Sequence, residues 1–293
     1  MAFGHWYPWQ VITRNAGIHL THRFAETFDV GRLQSDLAAV QEHHEVVPHY
    51  RSYLANGWGA ITLVGPNGDA TDHRSVGVIK GDGAEYKKTP AMDHAPYIES
   101  ILSILPGNCH RVRLMRLEAG RKIYWHHDGF LFGLDRRIAR FHIPIRTNPG
   151  VQLQVGHEDC HWQAGGLYFL DNSFPHRLVN AGDQDRIHLV FDMEVSPELV
   201  DLFPADFAAE RELRQDLRQR CFRWVDNTVG VIYKLQKRWQ MKRARLQQLL
   251  SEMPRPTSRN RATPVPAGQE TEKQAPRTDN SAERSPVHET SSR

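Results

Sequence analysis

Cysteine is scarce in this chain: Cys109, Cys160 and Cys221 are the three present in 293 residues, an odd number at wide spacing. That argues against a disulfide framework and fits a reducing compartment. Long apolar runs are missing as well, and no segment holds the ~20 apolar residues that a membrane-spanning helix requires. The stretch Met1-Ala2-Phe3-Gly4-His5-Trp6-Tyr7-Pro8 has neither the charged leader nor the apolar core of a signal peptide. A soluble cytoplasmic protein with no transmembrane segment is therefore expected. Neither sign of charge is in excess, since 37 Lys and Arg face 34 Asp and Glu. The basic residues of the central region are dispersed among acids and apolar runs, which argues against a nucleic-acid partner. Internal repeats are also lacking. From about Pro254 large apolar residues almost disappear, and such a composition cannot offset its ordering entropy. A disordered tail over 254–293 is expected, leaving one folded unit of about 250 residues.

What is present divides by pattern. Residues 30–44 place Leu33, Leu37, Ala38 and Val40 on one side of a helix. Residues 57–64 form a short apolar strand stopped by Gly65-Pro66-Asn67-Gly68, and 96–105 carry Ile98, Ile101, Leu102 and Leu105 at helical spacing. Residues 1–110 thus read as a helix-and-strand support region packed on the core. Beyond the core, 196–253 reads as helical. A helix over about 229–253 sets Ile232, Leu235, Trp239, Leu246 and Leu249 beside Lys234, Lys237, Arg238, Lys242, Arg243 and Arg245. Such a face is either a solvated side of a packed helix or a surface for a membrane or an acidic partner.

Between them, 111–195 changes to short runs of period two separated by turns: 112–118, 122–127, 138–145, 151–155, 166–170, 176–180 and 187–193. This rhythm predicts a mainly β core with flanking helices, an antiparallel sandwich or barrel of the jelly-roll, cupin-like kind. In Arg140-Phe141-His142-Ile143-Pro144-Ile145, Arg140 and His142 share one face and Phe141, Ile143 and Ile145 the other. Arg186 and His188 alternate in the same way with Ile187, Leu189 and Phe191. Either the polar face lines a cavity or it meets water.

The motif with most chemistry is Trp125-His126-His127-Asp128, followed by Phe174-Pro175-His176 and then Arg186. A His and a carboxylate two apart on a strand, joined by a distant His, suit one face of an iron(II) site that leaves positions open for oxygen and a cosubstrate. Arg186 is suited to hold an anionic cosubstrate by a bidentate contact. Against this, seventeen His in 293 residues should yield about one His-x-Asp by chance. A rival copy, His157-Glu158-Asp159 with Cys160 and His161, can be read as a small zinc cluster or as a solvated hairpin tip. His157 stands only nineteen residues before His176, little chain for the strands needed to bring them together.

The ordered set of motifs is more specific than any triplet. Residues 86–193 contain Arg113-Leu114-Met115-Arg116-Leu117-Glu118-Ala119-Gly120, then Ile123, His126 and Asp128, then Arg140 to Ile145. Trp162, Gly165-Gly166, Asp171-Asn172-Ser173-Phe174-Pro175-His176 and Arg186-Ile187-His188-Leu189-Val190 follow. This run resembles the aspartyl/asparaginyl β-hydroxylase family of iron(II)/2-oxoglutarate dioxygenases. The resemblance implies a double-stranded β-helix, with Fe(II) held by His126, Asp128 and His176. It further implies 2-oxoglutarate paired with Arg186 and Arg140, O2 as co-substrate, and His142 as a contact to the cosubstrate or a structural residue. Met115 departs from the pattern, standing where an animal member has a hydroxyl residue; 130–137 lengthen the connection after Asp128, as a loop or a lid.

The implied activity is hydroxylation of an unactivated carbon in an amino-acid-like substrate: a free amino acid, a carrier-bound one or a peptide side chain. Two other functions stay open on the residues alone. One is a cupin-type metalloenzyme without 2-oxoglutarate, for which Arg186 has no use. The other is a non-catalytic jelly roll that binds partners through its basic C-terminal helix.

Overall fold

A computed structural model of the chain describes residues 7–48, 57–72, 85–129 and 131–227, with isolated positions 231, 235, 238 and 239 beyond. The expected tail over 254–293 and nearly all of the expected basic helix over 229–253 lie outside the described residues. Four strands precede the core: β1 (Thr21–Thr27), β2 (Val47–Pro48), β3 (Trp58–Pro66) and β4 (Tyr86–Lys88). Eight follow: β5 (Cys109–Leu117), β6 (Lys122–His126), β7 (Ile138–Arg146), β8 (Val151–Val155), β9 (Glu158–Cys160), β10 (Gly166–Leu170), β11 (His176–Asn180) and β12 (Arg186–Glu194).

These eight divide four and four. The larger sheet runs β1-β10-β7-β12-β5-β3-β2, with β4 on β3, and the smaller runs β6-β11-β8-β9. Apart from β8 and β9, which pair within the smaller sheet, successive core strands pass between the two sheets, and every pairing of the named strands is antiparallel. This is the double-stranded β-helix. The N-terminal strands extend the larger sheet at both edges, β1 beside β10 and β3 beside β5.

The seven runs of period two all appear as strands, and β9 is an eighth. The expectation that residues 157–160 form a solvated hairpin tip is corrected there. Only the turn at Gly156 and His157 fits it, because Glu158 accepts hydrogen bonds from Leu20 N (2.8 Å) and Thr21 Oγ1 (2.6 Å) and Cys160 is buried. So short a segment carries no alternation of its own; pairing with β8 and the contacts of Glu158 with the start of β1 give it its place.

Alternation also orients the sheet. Phe141, Ile143, Ile145, Leu189, Phe191, Val112 and Leu114 form one apolar face, which packs on Leu33, Leu37 and Val40 of α2 (Val30–His43) and on Ile98 and Ile101 of α3 (Pro96–Ser103). The N-terminal α1 (Pro8–Ala16) belongs to a second cluster: its Trp9 is buried with Trp125, Leu153 and Leu178 of the smaller sheet and with Phe174 before β11. The polar face of the larger sheet turns inward. Arg140, His142, Arg186 and His188 are 9%, 7%, 5% and 2% exposed, so they line the interior between the sheets and do not meet water. After β12 come α4 (Pro197–Val200), α5 (Ala205–Ala209) and α6 (Arg211–Asn227). Pro204, which has no N–H to donate, separates α4 from α5. Among the described residues no helix is long and apolar enough to cross a membrane.

Leu189 sits at 0% exposure in the centre of the α2-facing core. Leu189→Ala is expected to lower stability by about 2–5 kcal/mol through lost burial and a residual cavity, read by urea denaturation.

Candidate metal centre and the cavity beside it

His126 ends β6 and His176 begins β11, and the two residues face each other directly in the strand pairing. Asp128 follows β6, its N–H donating to the Asn172 carbonyl (3.0 Å). Among the described residues, these three form the one group of His, Cys, Asp or Glu side chains that brings three ligand atoms within 4.8 Å of one another. The rival set around His157 does not assemble into such a group.

The donor chemistry fits a divalent metal. His126 Nδ1 lies 2.8 Å from the Tyr124 carbonyl and His176 Nδ1 2.9 Å from the Phe174 carbonyl. A carbonyl only accepts, so each Nδ1 carries the proton and each Nε2 keeps its lone pair. Asp128 Oδ1 stands 3.5 Å from His126 Nε2 and 3.9 Å from His176 Nε2. Metal bonds of about 2.1 Å place neighbouring ligand atoms roughly 3.0–3.4 Å apart, a small contraction away. Burial lowers the proton affinity of His176 more than Asp128 restores it, which favours the neutral ligand form.

The other oxygen of Asp128 is held from behind. Oδ2 accepts from Asn172 Nδ2 (2.7 Å) and from Arg140 Nη1. Burial opposes ionisation of this carboxyl, yet Arg140, His176 and His126 outweigh it and hold it well below the usual carboxylate range. Arg140 in turn donates from Nε to Asp192 Oδ1 (2.7 Å) and from Nη2 to Asp192 Oδ2 (3.2 Å). Arg111 also donates to Asp192 Oδ2, from Nε (3.0 Å) and Nη2 (2.6 Å), and Arg113 Nη2 lies 3.4 Å from the same oxygen. Asp192 thus anchors three buried guanidinium groups. Arg140, expected on the cosubstrate, is placed by the structure on two carboxylates of the protein.

Arg186 differs. It is buried, no carboxylate stands within salt-bridge distance of it among the described residues, and burial pushes its pKa down to about 9. One of its amino groups donates to His188 Nδ1 (2.6 Å), while its Nε meets no acceptor. Burial first, and then Arg186, keeps His142 and His188 neutral, well below the usual histidine range. Neither nitrogen of His142 has a partner, nor has Nε2 of His188. Trp162 walls this region, 5.1 Å from the His142 ring and stacked on Tyr168 at 4.8 Å. A cavity of about 410 Å³ opens here, with Arg186, His188, Trp162, Leu153 and Leu178 in its lining. The metal ligands do not line it: they stand where β6 ends and β11 begins, whereas Arg186 follows the far end of β11.

Of the sequence-predicted residues, the structure groups His126, Asp128, His176 and Arg140 around the Asp128 carboxylate, while His142 lies two residues on from Arg140 along β7 and Arg186 lies beside His188. Met115, at 7% exposure, packs with Ala60 and Val190 as an apolar wall. In the connection after Asp128, Phe132 is buried with its ring 4.5 Å from the Arg140 guanidinium, so residues 131–137 are packed down as a loop. Asp192, Arg111, Arg113 and Asn172 carry no role in the sequence reading. The alternation from Arg186 through His188 puts Asp192 on the same face as those two, and its burial shows that this face is the inner one.

A double-stranded β-helix with two His and one carboxylate at one end defines the class of mononuclear non-haem metal enzymes with open coordination positions. Within that class, the family model for aspartyl/asparaginyl beta-hydroxylase matches residues 27–195, and the chain belongs to that family. It is similar to the L-proline cis-4-hydroxylase of Rhizobium meliloti (strain 1021), 26% identical over 183 residues, 61% of each chain. It thus spans under two thirds of that relative's length. Solved structures with likeness include a 2OG-Fe(II) oxygenase family oxidoreductase from Burkholderia pseudomallei (12% identity, 64% of this chain and 89% of that one, TM-score 0.42). Another is a Pseudomonas putida prolyl-4-hydroxylase (16% identity, 64% and 99%, TM-score 0.37).

Proposed function

We propose that this protein is an iron(II)- and 2-oxoglutarate-dependent dioxygenase that hydroxylates an unactivated carbon of a small amino-acid-like substrate, with a proline-like amino acid as first candidate. The substrate class is supported by the likeness to an L-proline hydroxylase. Free, carrier-bound and peptide forms of the substrate are told apart by which of them yields hydroxylated product. Three unpaired cysteines fit a cytoplasmic setting.

In this reading His126, Asp128 and His176 hold iron(II), and Arg186 holds the distal carboxylate of 2-oxoglutarate. Bound iron(II) and 2-oxoglutarate supply the oxidising chemistry: 2-oxoglutarate is oxidised to succinate and CO2, and one oxygen atom of O2 goes to the substrate carbon. The chain's own contribution is placement and exclusion of water. Arg140 and Asn172 fix the Asp128 carboxylate so that Oδ1 faces both His Nε2 atoms. His142 and His188, held neutral, add polar contacts without adding charge to the pocket.

The observation that carries the 2-oxo acid is Arg186. A buried guanidinium with no counter-carboxylate costs several kcal/mol, and an anionic ligand in the adjoining cavity supplies the missing partner. A metalloenzyme without a 2-oxo acid leaves that charge uncompensated.

Anaerobic addition of iron(II) and 2-oxoglutarate to the wild type should produce the weak visible charge-transfer band of a chelated 2-oxo acid. In Arg186→Ala the band should need at least about tenfold more 2-oxoglutarate, because a charge-assisted contact of ~1.5–3 kcal/mol is lost. A metallated wild type with no such band would falsify the reading.

A further inference from the structure

Helix α6 lies beyond residues 27–195, the part matched by the family model. Positions 214, 218 and 222 share one of its faces, at successive intervals of four. On that face Arg214 and Arg218 are 1% and 0% exposed, beside the apolar Leu217, Cys221 and Val225. Burying two guanidinium groups is costly unless each is answered by partners with good geometry.

The partners lie around the metal ligands. Arg218 donates from Nη1 and Nη2 to the two oxygens of Asp135 (2.9 and 2.6 Å), gripping the loop after Asp128. Its Nε donates to Ser173 Oγ (2.6 Å) in the loop that leads to His176, and Ser173 donates onward to Asp171. Arg214 Nη1 donates to Asp171 Oδ2 (3.2 Å), one residue before Asn172, which itself donates to Asp128. The Phe222 ring stacks at 3.8 Å on His127, which stands between His126 and Asp128. Gly133 leaves room for this grip: at φ 122° its Cβ would fall 2.9 Å from Arg218 Nη2.

We propose that α6 is a brace for the metal centre, with Arg218 as the positioning residue that fixes the two ligand-bearing segments against each other. One guanidinium bridges the chain after the first two ligands to the chain before the third. Its loss lets the Asp128 and His176 segments move independently, and the metal then has to order them as it binds. The brace rests on the reading of His126, Asp128 and His176 as metal ligands.

The test uses full-length protein and cobalt(II) alone, added without oxygen and followed by its visible absorption. Arg218→Ala should weaken cobalt binding about tenfold or more, in the range of losses seen for groups that orient metal ligands. Arg218→Lys keeps the charge without the fork and should recover only part of it. Leu217→Ala removes buried apolar contact from the same helix, so it should lower Tm with cobalt affinity unchanged. Unchanged affinity in Arg218→Ala, or an equal loss in Leu217→Ala, overturns the brace. Should Arg218→Ala fail to fold, Ser173→Ala decides: a smaller loss of affinity supports the brace and none overturns it. A wild type that takes up no cobalt overturns the metal reading itself, and the brace with it.

Discussion

Asp192→Asn should destabilise the protein by about 3–5 kcal/mol, the cost of removing one partner from a buried ion pair. For a folded unit of this size that corresponds to a fall in Tm of roughly 10 °C or more. Asp192 is fully buried and accepts from Arg111 and Arg140, with Arg113 at 3.4 Å. Removing its charge leaves three guanidinium groups in one buried region with Asp128 as the nearby anion. Burial and the neighbouring guanidinium groups already push Arg113 down to about 9 against the pull of Asp192. It should therefore be the first of the three to lose its proton or drive local opening. Thermal and urea denaturation of the metal-free protein check this, and a loss under 1 kcal/mol would sink it. A second Arg113→Met substitution should restore part of the stability in the Asp192→Asn background, because it removes a guanidinium whose charge burial and its neighbours already disfavour; strict additivity would count against the cluster.

The position of Asp192 also marks where sequence reasoning stops. Period-two alternation made the core strands legible, and the same alternation assigns Arg186, His188, Val190 and Asp192 to one side of β12. It does not reveal which side is wet, because water and a second sheet of polar partners both satisfy polar side chains. The cross-strand register decides the matter: Val190 stands opposite Arg113 on β5, Asp192 opposite Arg140 on β7, and two guanidinium groups from separate strands meet one carboxylate. Those partners are 52 to 81 residues apart in the chain, so no local pattern announces them. His126, Asp128 and His176 were legible for a different reason, since metal geometry fixes residue type and local spacing closely. Arg186, singled out by its offset from His176, is buried beside His188. The partners of Arg140 were not legible: a guanidinium on the inner face suits a bound diacid or a protein carboxylate equally well, and only the coordinates place Asp128 against it. The arginines of α6 follow the same logic. Their spacing of four is plain in the sequence, but a solvated face of Arg and Glu reads identically until the loops after β6 and β10 are packed against it.

Because Arg140 and Asn172 hold one oxygen of Asp128 while the other faces the two His rings, Asp128→Asn should separate metal binding from folding. The amide has a single acceptor oxygen. Arg140 Nη1 and Asn172 Nδ2 are both donors and claim it, which turns the NH2 group toward His126 and His176 Nε2. An NH2 group offers the metal no lone pair, yet it can donate to either imidazole in the metal-free protein. Arg140 also keeps its two contacts to Asp192. Loss of the Arg140–Asp128 charge pair is expected to cost the metal-free variant about 1–3 kcal/mol, less than Asp192→Asn because every donor keeps an acceptor, and to leave it folded. Metal affinity should fall by more than about 100-fold, beyond the range for groups that merely orient ligands. At 100 times its own Kd a metal stabilises the wild type by ~2.7 kcal/mol, roughly 5–10 °C in Tm, and Asp128→Asn should show almost none of that shift at the same concentration. Cobalt binding within tenfold of wild type in this variant would remove Asp128 from the ligand set and leave a two-histidine site.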